Sequence, residues 1–211
     1  MPANAGTADR GDTEWGMAQQ KAGAHHVRII GGKWKGRKLR FIGGSELRPT
    51  LGRVRETLFN WLRPEIDQLR CLDAFAGSGI LGFEALSQGA ADITLVEHNP
   101  RTVQTLKANI NALDIADRAR VVRSDIRQFL RKIDTPFDLI FLDPPFAQPN
   151  LLHDSLQLLM ARKLATRWIY AEASAATPLG RELERHGLRV EKQTRAGETV
   201  SMLATPAAHF D

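Results

Sequence analysis

Short apolar runs alternate with longer stretches of helical period along most of the chain. Leu139-Ile140-Phe141-Leu142 is brief and rich in β-formers, so it predicts a buried strand. Cys71–Ala76, Asp92–Val96, Val121–Asp125 and Trp168–Glu172 read the same way. Leu188–Lys192 and Thr199–Ala204 fit a closing hairpin around Gly197. Between the strands, Ile80, Leu81, Phe83 and Leu86 recur with helical spacing. Pro100–Leu113, Leu151–Met160 and Pro178–His186 predict further helices. Upstream, a helix from Thr50 to Leu62 gathers Val54, Leu58, Trp61 and Leu62 on one face and leaves Arg53 and Arg55 pointing elsewhere. Strand alternating with helix predicts an α/β fold: a doubly wound, mainly parallel sheet of seven strands.

Acidic residues close four of these strands. Asp73, Glu97, Asp125 and Asp143 each stand at a strand's carboxyl end, and ligands of open α/β sheets bind beyond those ends. The four are therefore expected to meet at one crevice. Asp143 also opens the segment Asp143-Pro144-Pro145-Phe146. Each proline fixes its own φ and lacks an N–H, so the chain leaves the sheet stiff and extended. A carboxylate, the free Pro144 carbonyl and the Phe146 ring suit the gripping of a planar base by its exocyclic amine. Such an amine is a poor nucleophile, because its lone pair is delocalised. Two acceptors that take its hydrogens would aim the lone pair at an electrophile, and their effect is greatest in the transition state. A plain turn after a buried strand is the structural alternative.

Gly77, Gly79 and Gly82 formally match a dinucleotide fingerprint, with Glu97 about twenty residues past Gly77. Asp73, four residues before the first glycine, argues against a phosphate ligand. A carboxylate there opposes pyrophosphate and suits a cation. S-adenosylmethionine, with a sulfonium and an ammonium, is preferred over NAD on that ground. Glu97 would accept the ribose hydroxyls and Asp125 the adenine amine, unless each simply caps the next helix. His98 is placed beside the cofactor without a proton-transfer role.

Charge is spread unevenly along the chain. The net charge is +5, yet residues 21–63 hold eleven Lys and Arg against two Glu, a local +9, so the remainder carries 5 − 9 = −4. Lys33, Lys35, Arg37, Lys38 and Arg40 are interleaved with Trp34 and Phe41, as in a hairpin or extended arm bent at Gly31-Gly32 and Gly43-Gly44. A basic cluster next to a transfer crevice favours a polyanion. Residues 1–24 read as a flexible tail without an apolar signal region. Residues 25–64 read as the basic arm and its helix, and 65–211 as the catalytic domain. The single Cys71 fits a reducing, cytoplasmic setting. No apolar stretch is long enough to span a membrane, and no Cys/His cluster shows metal-ligand spacing, so no metal is expected.

The order Asp73-Ala-Phe-Ala-Gly-Ser-Gly, Glu97, Asp125, Asp143-Pro-Pro-Phe resembles class I (Rossmann-like) S-adenosylmethionine-dependent amino-methyltransferases. The N-terminal set is more specific: Arg28-Ile29-Ile30-Gly31-Gly32, Gly36-Arg37-Lys38-Leu39, Arg48-Pro49-Thr50 and Arg53–Leu62 resemble the bacterial RsmD family, over about residues 27 to 205. One departure is Thr50-Leu51-Gly52, where that family reads Thr-Thr-Asp. The resemblance implies methylation of the N2 of one guanine in 16S rRNA, with an assembled or assembling 30S particle as substrate; the protein itself is expected to be a monomer. It implies Asp143, Pro144, Pro145 and Phe146 as the catalytic segment. The cofactor set is then Asp73, Phe75, Ala76, Gly77, Ser78, Gly79, Glu97, His98, Asn99, Asp125, Ile126 and Asp143. Arg28, Lys33, Lys35, Arg37, Lys38, Arg48, Arg53 and Arg55 are expected to contact RNA. A DNA adenine-N6 or cytosine-N4 methyltransferase uses the same acceptor geometry. A noncatalytic RNA-binding module and an NAD-dependent dehydrogenase are the readings outside methyl transfer.

Overall fold

The computed structural model describes residues 25–42, 49–148 and 150–207. Seven strands form one sheet in the order β5-β4-β3-β6-β7-β9-β8. They are β3 (Arg70–Asp73), β4 (Asp92–Glu97), β5 (Ala119–Arg123), β6 (Phe137–Leu142), β7 (Ala165–Ser174), β8 (Leu188–Ala196) and β9 (Thr199–Pro206). The first five run parallel, and β9 pairs antiparallel with both β7 and β8. Gly197, at φ 60, makes the turn between β8 and β9 that its position implied.

Alternation along the strands divides the core into two layers. Cys71, Leu139 and Phe141 face one side, while Leu72, Ile140 and Leu142 face the other. The first side is covered by α1 (Pro49–Leu62), α2 (Ile80–Ser87) and α3 (Pro100–Leu113) through Leu58, Phe83 and Leu106. The second is covered by α4 (Ile126–Lys132), α5 (Asn150–Ala161) and α6 (Leu179–Arg185) through Phe129, Leu156 and Leu183. Both faces buried is what a parallel sheet requires. The first strand stops at Asp73, three residues short of the expected Ala76, because the chain is already turning toward the glycines.

The basic arm is a hairpin of β1 (His25–Arg28) and β2 (Lys38–Phe41), with His25 opposite Phe41 and Arg28 opposite Lys38. It is not a separate appendage. Val27, Ile29, Trp34, Leu39 and Phe41 are buried in the first core layer. Polar contacts pin it to α2 and α3. Ile30 and Gly31 N–H donate to the Glu84 carboxylate (2.9 and 2.7 Å), and Trp34 N–H donates to Ser87 Oγ (2.9 Å). Asn109 pairs with the Arg40 backbone in both directions (3.1 and 2.8 Å). Gly32 passes so close to α2 that a Cβ would lie 1.8 Å from the Ser87 carbonyl oxygen, and its φ of +72 suits only glycine.

Candidate active site

The strand order reverses at β3, and the crevice opens beyond the carboxyl ends of β3, β4, β5 and β6. A pocket of about 600 Å³ occupies it, a size common for small-ligand sites. Gly77, Glu97, His98, Asp125 and Asp143 line it together with Pro144, Pro145 and Phe146. Val96, Ile126 and Leu151 add an apolar patch suited to a flat ring. Among the described residues no Lys or Arg lines it, although the whole chain is basic. A phosphate-bearing ligand would find no cation there, whereas a cationic ligand finds carboxylates.

Asp73 sits beneath the pocket floor, 3 % exposed. It accepts from Gly82 N–H at 3.3 Å, in the first turn of α2, which has no side-chain cap of its own. Asp73 thus caps that helix from the neighbouring strand end, and its charge favours the positive helix terminus. Burial, with Asp143 as a further contributor, nevertheless pushes its carboxyl up to about 7. Asp143 faces the open pocket. The crevice walls strip water from it and lift its carboxyl to about 6. Crowded carboxyls held above their ordinary range mark a site short of positive charge.

Glu97 closes β4 and turns back onto the glycine loop. Gly77 N–H donates to its Oε2 (3.1 Å), and Asn99 N–H to its Oε1 (2.7 Å). His98, largely exposed, lies 3.2 Å from the same Oε1 through Nδ1. Asn99 does not reach the pocket as a lining side chain. It is the N-cap of α3, accepting from Arg101 and Thr102 N–H. Asp125 does line the pocket, but its carboxylate is heavily engaged. It caps α4 through Arg127 and Gln128 N–H and binds the Arg127 guanidinium with both oxygens. Arg127 holds its carboxyl below the usual range. A bond from Asp125 to an adenine amine would require Arg127 to give way.

Of the predicted cofactor set, Asp73, Ala76, Ser78, Gly79 and Asn99 are not among the lining residues. Gly79 is needed for packing, since a Cβ there would lie 2.6 Å from both Leu106 and Phe83. Ala74, Val96, Ser124, Gln148 and Leu151 line the pocket without having been expected there. Ala74 and Ser124 adjoin strand-end acids, so extending each strand-end signal by one residue finds them.

The arm presents Arg28, Lys33, Lys35, Arg37 and Lys38 to solvent, and α1 presents Arg53. Arg55 departs from expectation. It is 7 % exposed, donates to the Arg28 carbonyl (2.9 Å) and faces Glu84 at 3.9 Å. It locks the arm to α1 and α2 and offers nothing to an outside phosphate. Trp34 and Phe41 are likewise buried, with Lys33 and Arg118 standing over the Trp34 ring. Arg48 lies outside the described residues.

Away from the crevice, α5 and the C-terminal end of α6 bring together His153, Glu182 and His186, although no Cys/His cluster has metal-ligand spacing along the chain. Both rings hydrogen-bond Glu182 Oε1, at 2.7 and 3.2 Å.

A mainly parallel sheet of this order, with acids at its strand ends and a glycine turn leading into an α2 capped by Asp73, defines a class I, Rossmann-like methyltransferase. A family model described as conserved hypothetical protein 95 matches residues 27–204. The chain belongs to that family, the RsmD family. Ribosomal RNA small subunit methyltransferase D of Escherichia coli K12 is 50 % identical over 138 residues, 65 % of this chain and 69 % of that protein. Its Haemophilus influenzae namesake is 44 % identical over 158 residues, 72 % of this chain and 81 % of that protein. A solved Escherichia coli structure, described as a candidate methyltransferase, superposes with a TM-score of 0.77 at 41 % identity, covering 88 % of this chain and 100 % of the other.

Proposed function

We propose that this protein transfers a methyl group from S-adenosylmethionine to the exocyclic N2 of a guanine in 16S rRNA, within the small ribosomal subunit or an assembly intermediate. One observation carries the reading: a pocket that, among the described residues, is lined by no Lys or Arg and is rimmed by Glu97 and Asp143 is walled on one side by Asp143-Pro144-Pro145-Phe146. When bound, S-adenosylmethionine supplies an electrophilic methyl on a positively charged sulfur. Glu97 holds the ribose, and the apolar patch of Val96 and Ile126 holds the adenine. Asp73 and Asp143 oppose the positive charge.

On the base side, the Asp143 carboxylate and the Pro144 carbonyl each accept one amine hydrogen, while Phe146, 49 % exposed at the rim, stacks on the ring. Most of the rate comes from alignment. With its carboxyl at about 6, Asp143 is ionised at neutral pH and close enough in proton affinity to take the proton that N2 sheds. A base in a structured loop must be splayed out to reach this depth. The exposed lysines and arginines of the arm hold the phosphates and fix register. Relatives named for small-subunit rRNA support the substrate class, and a ribosomal substrate implies a cytoplasmic enzyme, proposed here to act as a monomer.

Small-subunit particles lacking the modification, incubated with labelled cofactor and this protein, should gain one methyl group in 16S rRNA, placed on guanine N2 by mass mapping. Methyl transfer to duplex DNA and none to the particles would overturn the proposal.

A further inference from the structure

Glu172 is the acidic residue that the mechanism above leaves without a task. It is 5 % exposed, on β7. Leu142 of β6 pairs with Ala171 of β7, so Asp143, one residue past the end of β6, follows beside Glu172, close enough for its charge to act on the Glu172 carboxyl. The Pro-Pro-Phe segment has two sides. One faces the main pocket, and the other, with Gln148, walls a side cavity of about 40 Å³ lined also by Glu172, Ser174 and Thr177. That space takes the edge of a base, not a whole ring.

Tyr170 donates its hydroxyl to Glu172 Oε1. Among the described residues the structure shows no protein partner for Oε2. Burial, then the charge of Asp143, raises the Glu172 carboxyl to about 8. With Oε1 taken by the Tyr170 hydroxyl, the ionised carboxylate keeps Oε2 as its free acceptor.

We propose that Glu172 is a specificity-determining residue, whose Oε2 accepts the N1–H of the target guanine while Asp143 and Pro144 grip the adjacent N2 amine. This rests on the guanine-N2 reading above and extends it to the choice of base. Guanine presents two neighbouring donors on this edge, N1–H and the N2 amine. Adenine and cytosine present an amine beside a lone pair, which would face the Glu172 oxygen and repel it. Sites that hydrogen-bond a ring N–H reject analogues lacking it far more strongly than apolar pockets reject a change of size. Tyr170 is a positioning residue, since it acts by holding Glu172 in one orientation.

The test uses Glu172→Gln and 2-aminopurine. 2-Aminopurine keeps the C2 amine but has a lone pair at N1. Small-subunit particles are reconstituted with guanine or 2-aminopurine at the modified position. The wild-type protein should methylate the guanine particles and discriminate against 2-aminopurine by about 100-fold or more in kcat/KM. Glu172→Gln, which keeps the side chain's shape and can turn its amide N–H toward the pocket, should lose about 10- to 100-fold on guanine. It should narrow the discrimination against 2-aminopurine and bind S-adenosylmethionine with unchanged affinity by calorimetry. Unchanged affinity shows that the variant is folded. Wild-type methylation of guanine N2, together with undiminished activity and unchanged base preference in the variant, refutes the role of Glu172 alone. A wild-type protein that leaves guanine N2 unmodified refutes the functional reading, and this inference with it.

Discussion

Replacing Asp73 with Asn tests the electrostatics of the crevice directly. In the folded protein its carboxyl lies near 7, against an ordinary value of 3.8. At about 1.36 kcal/mol per pKa unit, three units correspond to about 4 kcal/mol against the ionised form in the folded chain, an upper limit because Asp143 shares the shift. The sign follows from proton counting. Below the ordinary value both folded and unfolded chains hold the proton, and nothing is lost. Between about 4 and 7 the unfolded chain ionises while the folded chain keeps its proton, so stability falls as pH rises. Above 7 the whole penalty is present. Asn retains an oxygen for the Gly82 amide and cannot ionise. Urea denaturation should therefore show Asp73→Asn more stable than wild type by about 2 kcal/mol or more at pH 8.5, with the gap closing toward pH 4.5. The same variant should bind S-adenosylmethionine more weakly, because the site has given up a charge that opposed the ligand's. Parallel stability curves for the two proteins across this range would refute the reasoning.

Asp143→Ala should reduce methyl transfer at least about 100-fold, since it removes an acceptor of the reacting amine, while cofactor binding stays measurable by calorimetry. Gly32→Ala should destabilise the fold by more than about 2 kcal/mol in chemical denaturation, because the new methyl meets the Ser87 carbonyl and φ is positive. Charge removal at Lys33, Lys35, Arg37 and Lys38, all exposed, should weaken binding to small-subunit particles and flatten its salt dependence, leaving cofactor affinity unchanged.

Some of this protein is legible one residue at a time. Leu139–Leu142 alternates between the two core layers as a strand covered on both faces must, and the Asp-Pro-Pro-Phe segment leaves the sheet where its prolines forbid further pairing. The acids closing successive strands announce the crevice, because a doubly wound sheet gathers those ends whatever its loops do. Side-chain partnership was not legible in the same way. Arg55 reads as an exposed arginine on a helix until Glu84 and the Arg28 carbonyl, both distant in sequence, arrive beside it. Asp125 reads as a ligand carboxylate until Arg127 occupies it. Glu172 reads only as the last residue of a strand, and the pairing of Leu142 with Ala171 is what brings it beside Asp143. His153, Glu182 and His186 come from two helices whose packing the local pattern does not specify. Local period decides which face a side chain takes, and that decision is written in the chain. Which charge it meets there depends on strand register and helix docking, and those belong to the folded molecule alone.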